Sequence, residues 1–150
     1  METDSFSFRE AGRAKLRKFT IFCDGASKGN PGPSSIGVAI FEGEEEIHSI
    51  SERIKDGTNN TAEWAALEAG LLWCLENKAS EVKAFLDSEL VVKQVTGEYK
   101  VKSPHLIEAK RRVLALSSKL ASFKIAHVLR EKNKKADKLA NLAFSPTVEP

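Results

Sequence analysis

The chain has 150 residues, 41% of them hydrophobic and 29% charged, with a formal net charge of +2. That length suits a single domain that buries roughly 68–70% of its unfolded surface without staples, and the composition excludes a disordered polyelectrolyte. No apolar run reaches the ~18 residues of a membrane-spanning helix, and the N-terminus lacks the apolar core of a signal peptide. Cys23 and Cys74 stand outside any Cys-x-x-Cys or Cys/His pattern, which argues against structural zinc and suits two reduced, buried thiols in the cytoplasm.

Residues 1–17 are polar and carry Arg9, Arg13, Lys15 and Arg17; they are expected to form a flexible basic arm. Phe19–Asp24 has apolar residues on both alternating faces, as in a central strand covered on both sides. The segment G-A-S-K-G-N-P-G-P-S-S is a turn region. Strands at Ile36–Phe41 and Ile47–Arg53 flank an acidic turn, so the first three strands form an antiparallel meander. Asn60 to about Asn77 predicts a helix, with Ala62, Ala65, Ala66, Ala69, Leu72 and Trp73 at helical spacing. Val82–Asp87 predicts a strand and Ser88–Val95 a short helix ended by Gly97. Ser103-Pro104 opens a longer helix with an apolar stripe of Leu106, Ala109, Val113, Leu116 and Leu120. Phe123–Leu129 is the fifth strand, on which His127 is expected to pack with Phe123 and Ile125. Asn133 caps a last helix reaching about Phe144, and residues 146–150 form a frayed tail. The order β-β-β-α-β-α-α-β-α makes an α/β fold. A crossover helix places the fourth strand parallel to the first, and ligands in such sheets bind beyond the carboxyl ends of strands.

Four carboxylates occupy positions that this topology draws together. Asp24 and Asp87 end strands, Glu63 starts the crossover helix, and Asp137 opens the last one. Each has an ordinary explanation. Asp24-Gly25 is a turn signal, and Glu63 lies three residues after Asn60 at capping-box spacing. Asp87-Ser88 is a helix cap, and Asp137 complements a helix dipole among Lys134, Lys135 and Lys138. Brought to one place, four carboxylates repel unless a cation neutralises them, and hard divalent ions take oxygen ligands.

The motifs D-G-A-S-K-G-N-P-G from Asp24, T-N-N-T-A-E ending at Glu63, D-S-E from Asp87 and N-K-K-A-D ending at Asp137 occur in an order that resembles the type 1 ribonuclease H family, in its compact branch. The likeness runs from about Phe19 to Phe144, within a catalytic domain expected over residues 18–145. It implies a five-stranded mixed sheet, three strands antiparallel and two parallel, with helices on both faces. The implied activity is endonucleolytic hydrolysis of the RNA strand of RNA–DNA hybrids, leaving 5′-phosphate and 3′-hydroxyl ends. Asp24, Glu63, Asp87 and Asp137 match the family's acidic tetrad and would hold two Mg²⁺ ions, with Mn²⁺ as a substitute. Gly25, Ser27, Asn30, Asn59 and Gln94 match positions near the RNA strand, whose 2′-hydroxyl marks it in the minor groove. Thr58 matches a residue that holds a DNA-strand phosphate.

The chain departs from the family pattern at three places. Glu89 stands where a Gln donor is usual, and a carboxylate donates only when protonated. Arg130 stands near where many bacterial members place a His; a guanidinium cannot act as a base, which leaves phosphate contact, product departure or an ion pair with Glu131. Between Gly97 and Pro104 there is only E-Y-K-V-K-S, with no basic protrusion. Grip on a hybrid would then fall to the N-terminal arm, Lys100, Lys102, and the cluster of Arg130, Lys132, Lys134 and Lys135. A proofreading exonuclease is disfavoured because its paired first acids are absent. A catalytically weak module of the same fold, binding hybrid or double-stranded RNA, is the alternative, and a plain interaction domain with capping acids is a third reading. A monomer in the cytoplasm, off the membrane, is expected.

Overall fold

The computed structural model describes residues 16–145. Its elements are β1 (Arg17–Ser27), β2 (Gly32–Glu42), β3 (Glu45–Gly57), α1 (Asn59–Glu76), β4 (Ala79–Leu86), α2 (Glu89–Thr96), α3 (Pro104–Ser117), β5 (Ser122–His127), a 3-10 turn (Arg130–Lys132) and α4 (Lys134–Leu142). The expected order of elements is the observed one. Residues 1–15 of the expected arm and the 146–150 tail lie outside the described residues. Arg17, assigned to the arm, instead begins β1, where its guanidinium donates to Glu42 (3.0 Å) and to the Asn77 carbonyl (3.1 Å).

The sheet order is β3-β2-β1-β4-β5. β1, β2 and β3 pair antiparallel, while β4 pairs parallel with both β1 and β5. Alternation then sends side chains to the two faces of the sheet. Phe19, Ile21 and Cys23 of β1 and Ile36, Val38 and Ile40 of β2 belong to the buried core. α1 seats its Gly70 against Ile21 and Val38 on that face. On the opposite face α4 approaches Gly37 so closely that a Cβ there would lie 2.2 Å from the Ala136 carbonyl oxygen. Only glycine permits that contact. The Ser35 and Ser51 hydroxyls donate to the Ala140 and Leu139 carbonyls (2.5 and 2.6 Å) and lock α4 in place.

Several local expectations shift. The buried side of α1 runs through Glu63, Leu67, Gly70, Leu71 and Cys74, while Leu72 is exposed. The strand partners decide this, since α1 meets the sheet along the line where Gly70 permits approach. Ala109, Val113 and Leu120 of the α3 stripe are buried, with Leu120 beyond the helix end. β5 stops at His127, and His127 is exposed rather than packed. The chain turns there into the 3-10 segment, so its last strand residue has no covering layer. Both cysteines are free and buried, as expected, and burial pushes the Cys74 thiol up to about 12, which leaves it protonated and unreactive.

Candidate active site

Parallel pairing of β1 and β4 sets Cys23 opposite Leu86. The next residue in each segment is a carboxylate: Asp87 just past β4, as expected, and Asp24, which does not end its strand because β1 runs on to Ser27 paired with β2. Glu63 reaches them from the start of the second turn of α1, and another pair of residues performs the capping. Thr58 is the N-cap and accepts from the Thr61 N–H, and the Thr61 hydroxyl in turn accepts from the Thr58 N–H. The capping assignment for Glu63 is therefore corrected: its Oε1 accepts from the Gly25 N–H at 2.9 Å. Ser88, not Asp87, caps α2.

One oxygen from each of Asp24, Glu63 and Asp87 lies within 4.8 Å of the others. Asp24 and Glu63 are both 6% exposed. Burial, with Asp87 and Asp137 nearby, lifts Asp24 to about 7. Glu63 is pushed well above the ordinary carboxylate range, first by burial and then by Asp24. Its Oε2 is buried with no hydrogen-bond partner. Clustered carboxylates of this kind, one with an orphaned oxygen, fit a hard divalent cation: oxygen donors, surplus negative charge, and room on one side for water or phosphate oxygens. Asp137 is half-buried and lines the same cleft from α4, outside the tight trio, with its Oδ1 accepting from Asn141 (3.3 Å).

The cluster lies in an open cleft of about 770 Å³, also lined by Gly25, Ser27, Asn30, Thr58, Asn59 and Arg130. The amides of the two asparagines are oriented by backbone donors. Asn59 Oδ1 accepts from the Ser27 N–H (3.0 Å), and Asn30 Oδ1 accepts from the Asn59 N–H (3.2 Å). Each amide NH₂ is thereby left as the outward group, a donor pair available to a ligand. The Ser27 hydroxyl donates to the Gly57 carbonyl (2.8 Å), which ties the β1–β2 turn to the end of β3.

Two expected contacts do not reach the cleft. Gln94 is buried on the inner side of α2, 7% exposed, and Glu89 turns outward to Lys93 (2.7 Å). The helix period explains both, because Ser88 and Leu90 take the cleft-facing positions. Among the basic residues expected to grip a ligand, Arg130 lines the cleft, whereas Lys100, Lys102, Lys132, Lys134 and Lys135 do not. Arg130 forms no ion pair with Glu131.

The sequence reading missed the role of Asn133. Expected as a cap, it makes no side-chain cap bond. Its Nδ2 donates instead to the Cys23 carbonyl (2.9 Å) and to Asp87 Oδ2 (3.2 Å). One buried amide thus joins the ends of β1 and β4 to the start of α4. Its place four residues before Asp137 was a signal, but capping explained that spacing equally well. Leu90, Ser103, His105 and Leu106 also line the cleft, and no sequence feature had marked them.

Such an acidic cluster, at the carboxyl edge of a mixed sheet and beside oriented amide donors, defines a nuclease-like site of the ribonuclease H fold. The chain belongs to the family described as Reverse transcriptase-like, whose model matches residues 22–143. It is 35% identical over 134 residues, 88% of its length, to Bifunctional protein Rv2228c of Mycobacterium tuberculosis. The N-terminal RNase H domain of that protein superposes with a TM-score of 0.82 over 85% of this chain and 99% of the domain. Ribonuclease HI of Halobacterium salinarum is 37% identical over 124 residues, 82% of this chain and 62% of the relative. LC11-RNase H1, solved in complex with RNA/DNA hybrid, gives a TM-score of 0.79 at 36% identity over 84% of this chain and 96% of that one. The chain spans only 37% of the length of the mycobacterial relative.

Proposed function

We propose that the chain is a ribonuclease H, an endonuclease that hydrolyses the RNA strand of RNA–DNA hybrids. The observation that carries this is the trio Asp24, Glu63 and Asp87, with oxygens within 4.8 Å, in a cleft whose asparagine amides face outward as donors. Bound there, two Mg²⁺ or Mn²⁺ ions would supply Lewis acidity to an attacking water and a leaving 3′-oxygen, with 5′-phosphate and 3′-hydroxyl ends as products. The likeness to LC11-RNase H1 supports a hybrid as the ligand.

The chain's own residues do the rest. Asp24, Glu63 and Asp87 hold the metal with Asp137 at the rim, and Asn133 fixes the Asp87 carboxylate through its donor amide. Asn30 and Asn59 offer donors to acceptors in the minor groove, the groove in which the 2′-hydroxyl distinguishes RNA from DNA. Thr58 lines the cleft, and its hydroxyl, which accepts from the Thr61 N–H in the α1 cap, keeps a proton to donate to a phosphate. Arg130 stands exposed at the cleft edge, where a permanent cation attracts phosphate. Two buried free thiols fit a reducing compartment, and among the described residues no helix is long and apolar enough to cross a membrane.

The test presents a labelled RNA–DNA hybrid, a DNA duplex and an RNA duplex, with Mg²⁺, Mn²⁺ or chelator, to the chain and to Asp87→Asn. Internal cuts in the hybrid's RNA, lost with chelator and with the substitution, are expected. Cutting from DNA ends, or cleavage indifferent to chelator, refutes the proposal. Hybrid binding without cleavage at any metal concentration supports the weak binding module instead.

A further inference from the structure

α4 covers only part of its face of the sheet, packing on β2, β1 and β3. Over β4 and β5 no described helix lies on that side, and the register shows what is left there. Phe22, Phe85 and Ala126 form one row across β1, β4 and β5, and Thr20, Lys83 and Lys124 form the next. Phe41, opposite Thr20 on β2, stands in that second row, diagonal to Phe22. Phe22 stacks on Phe85 (ring centroids 5.1 Å apart, 24° between planes) and meets Phe41 edge-on at 5.7 Å. All three rings are half-buried, so a connected aromatic surface reaches solvent.

Its rim is basic. Lys83 and Lys124 stand directly opposite each other on neighbouring strands, an arrangement of like charges that weakens a sheet. Lys132 and Lys134 rise beside Phe22 and Phe41 at the start of α4, and the Lys135 ammonium lies 5.1 Å from the Phe41 ring centre. Lys18 is paired with Glu81 and Lys135 with Glu46. Among the described residues Lys83, Lys124, Lys132 and Lys134 form no ion pair. Glu131 also lines this rim. The uncompensated positive charge beside open rings calls for a polyanion that carries flat apolar groups. Single-stranded nucleic acid has that chemistry, with bases stacking on aromatics and phosphates following lysines. The surface also joins the cleft. Arg130 lines the cleft and Lys132, two residues on in the same 3-10 turn, lines the aromatic side.

We propose that the Phe41–Phe22–Phe85 face, rimmed by Lys83, Lys124, Lys132 and Lys134, binds single-stranded nucleic acid that leaves the cleft past Arg130. The link to a substrate's overhang rests on the hydrolase reading above, while the surface itself does not.

The experiment titrates the full chain, in chelator, against labelled oligo(dT) and oligo(rU) by fluorescence anisotropy, with light scattering to report its mass. Lys83→Glu with Lys124→Glu alters two exposed side chains, and Phe85→Leu removes a ring but keeps apolar bulk. Thermal unfolding checks that each variant folds. The chain is expected to bind both oligomers with strong salt dependence. The double charge reversal should weaken this at least tenfold and Phe85→Leu by roughly fivefold or more. In Mg²⁺, a single-stranded extension should lower KM for a hybrid, the charge reversal should abolish that gain, and cleavage of a blunt hybrid should be unchanged. Equal binding by the chain and both folded variants overturns the proposal, as does absence of binding. A dimer that the charge reversal dissolves, without oligonucleotide binding, assigns the face to a second copy and also overturns it. Oligonucleotide binding through this face by a chain that cuts no hybrid would sink the hydrolase reading and leave the surface standing.

Discussion

Replacing Asp24 by Asn should stabilise the metal-free protein while abolishing hydrolysis. Asp24 is 6% exposed and its carboxyl is lifted from 3.8 to about 7 by burial and neighbouring carboxylates. The folded chain therefore binds a proton more tightly than the unfolded chain between those two values. Where the folded state holds more protons, stability falls as pH rises. The loss from this group begins near the unfolded value of 3.8, grows up to about 7 and is complete above it. At 1.36 kcal/mol per pH unit, the full rise is worth about 4 kcal/mol. Sharing of the proton with Glu63 brings the expectation to about 2–4 kcal/mol. Asparagine keeps the shape and cannot ionise, so in chelator at pH 8 Asp24→Asn should unfold later in urea by that amount. At pH 4 the two proteins should converge. Mg²⁺ should stabilise the parent chain and have little effect on the variant, since binding to the folded state alone raises stability. A variant less stable than its parent at pH 8 in chelator, or a difference that does not change between pH 4 and 8, refutes this account of the cluster.

Three further substitutions examine the scaffold of the site. Asn133→Ala removes donors to Asp87 and to the Cys23 carbonyl; a loss of about 2–4 kcal/mol in stability is expected, with Mn²⁺ affinity by calorimetry and kcat each falling roughly 10–100-fold while KM holds. Gly25→Ala would place a Cβ 2.2 Å from the Ala62 carbonyl carbon, so thermal unfolding should show a loss of about 3 kcal/mol or more. Glu89→Gln alters a fully outward side chain paired with Lys93, and hybrid affinity should change less than twofold; a larger change would show that Glu89 reaches the substrate after all.

Much of the fold was legible because its signals are local. Doubly apolar alternation in Phe19–Asp24 marked a central strand, and the Gly/Pro turn and acidic turn marked a meander. The site was legible as four carboxylates near turns and helix starts, together with Asn30 and Asn59 beside them, although β1 runs three residues past Asp24. Assigning each carboxylate its task was a different matter. Glu63 sits at capping-box spacing from Asn60, and sequence alone has no means of knowing that Thr58 and Thr61 satisfy that helix end first. Gln94 and Glu89 share a short helix with the cleft-facing Ser88 and Leu90, and a rotation of about 100° per residue separates contact from burial. His127 follows the strand alternation, yet it is the last residue of β5 and stands exposed.

The amino-acid sequence by itself determined the order and type of the elements, the placement of Asp87 just past a strand, and the chemistry of the residues that meet there. These follow from periodicity, turn residues and side-chain type, all carried within short stretches of chain. Only the tertiary structure decided that Asp24, Glu63 and Asp87 crowd into one buried trio while Asp137 stands at its rim. It alone decided that Asn133 serves Asp87 rather than its own helix, and that one half of a sheet face keeps its aromatic rings and lysines open to solvent. Contacts between residues dozens of positions apart depend on register and on which layer covers which face, and no local pattern encodes either.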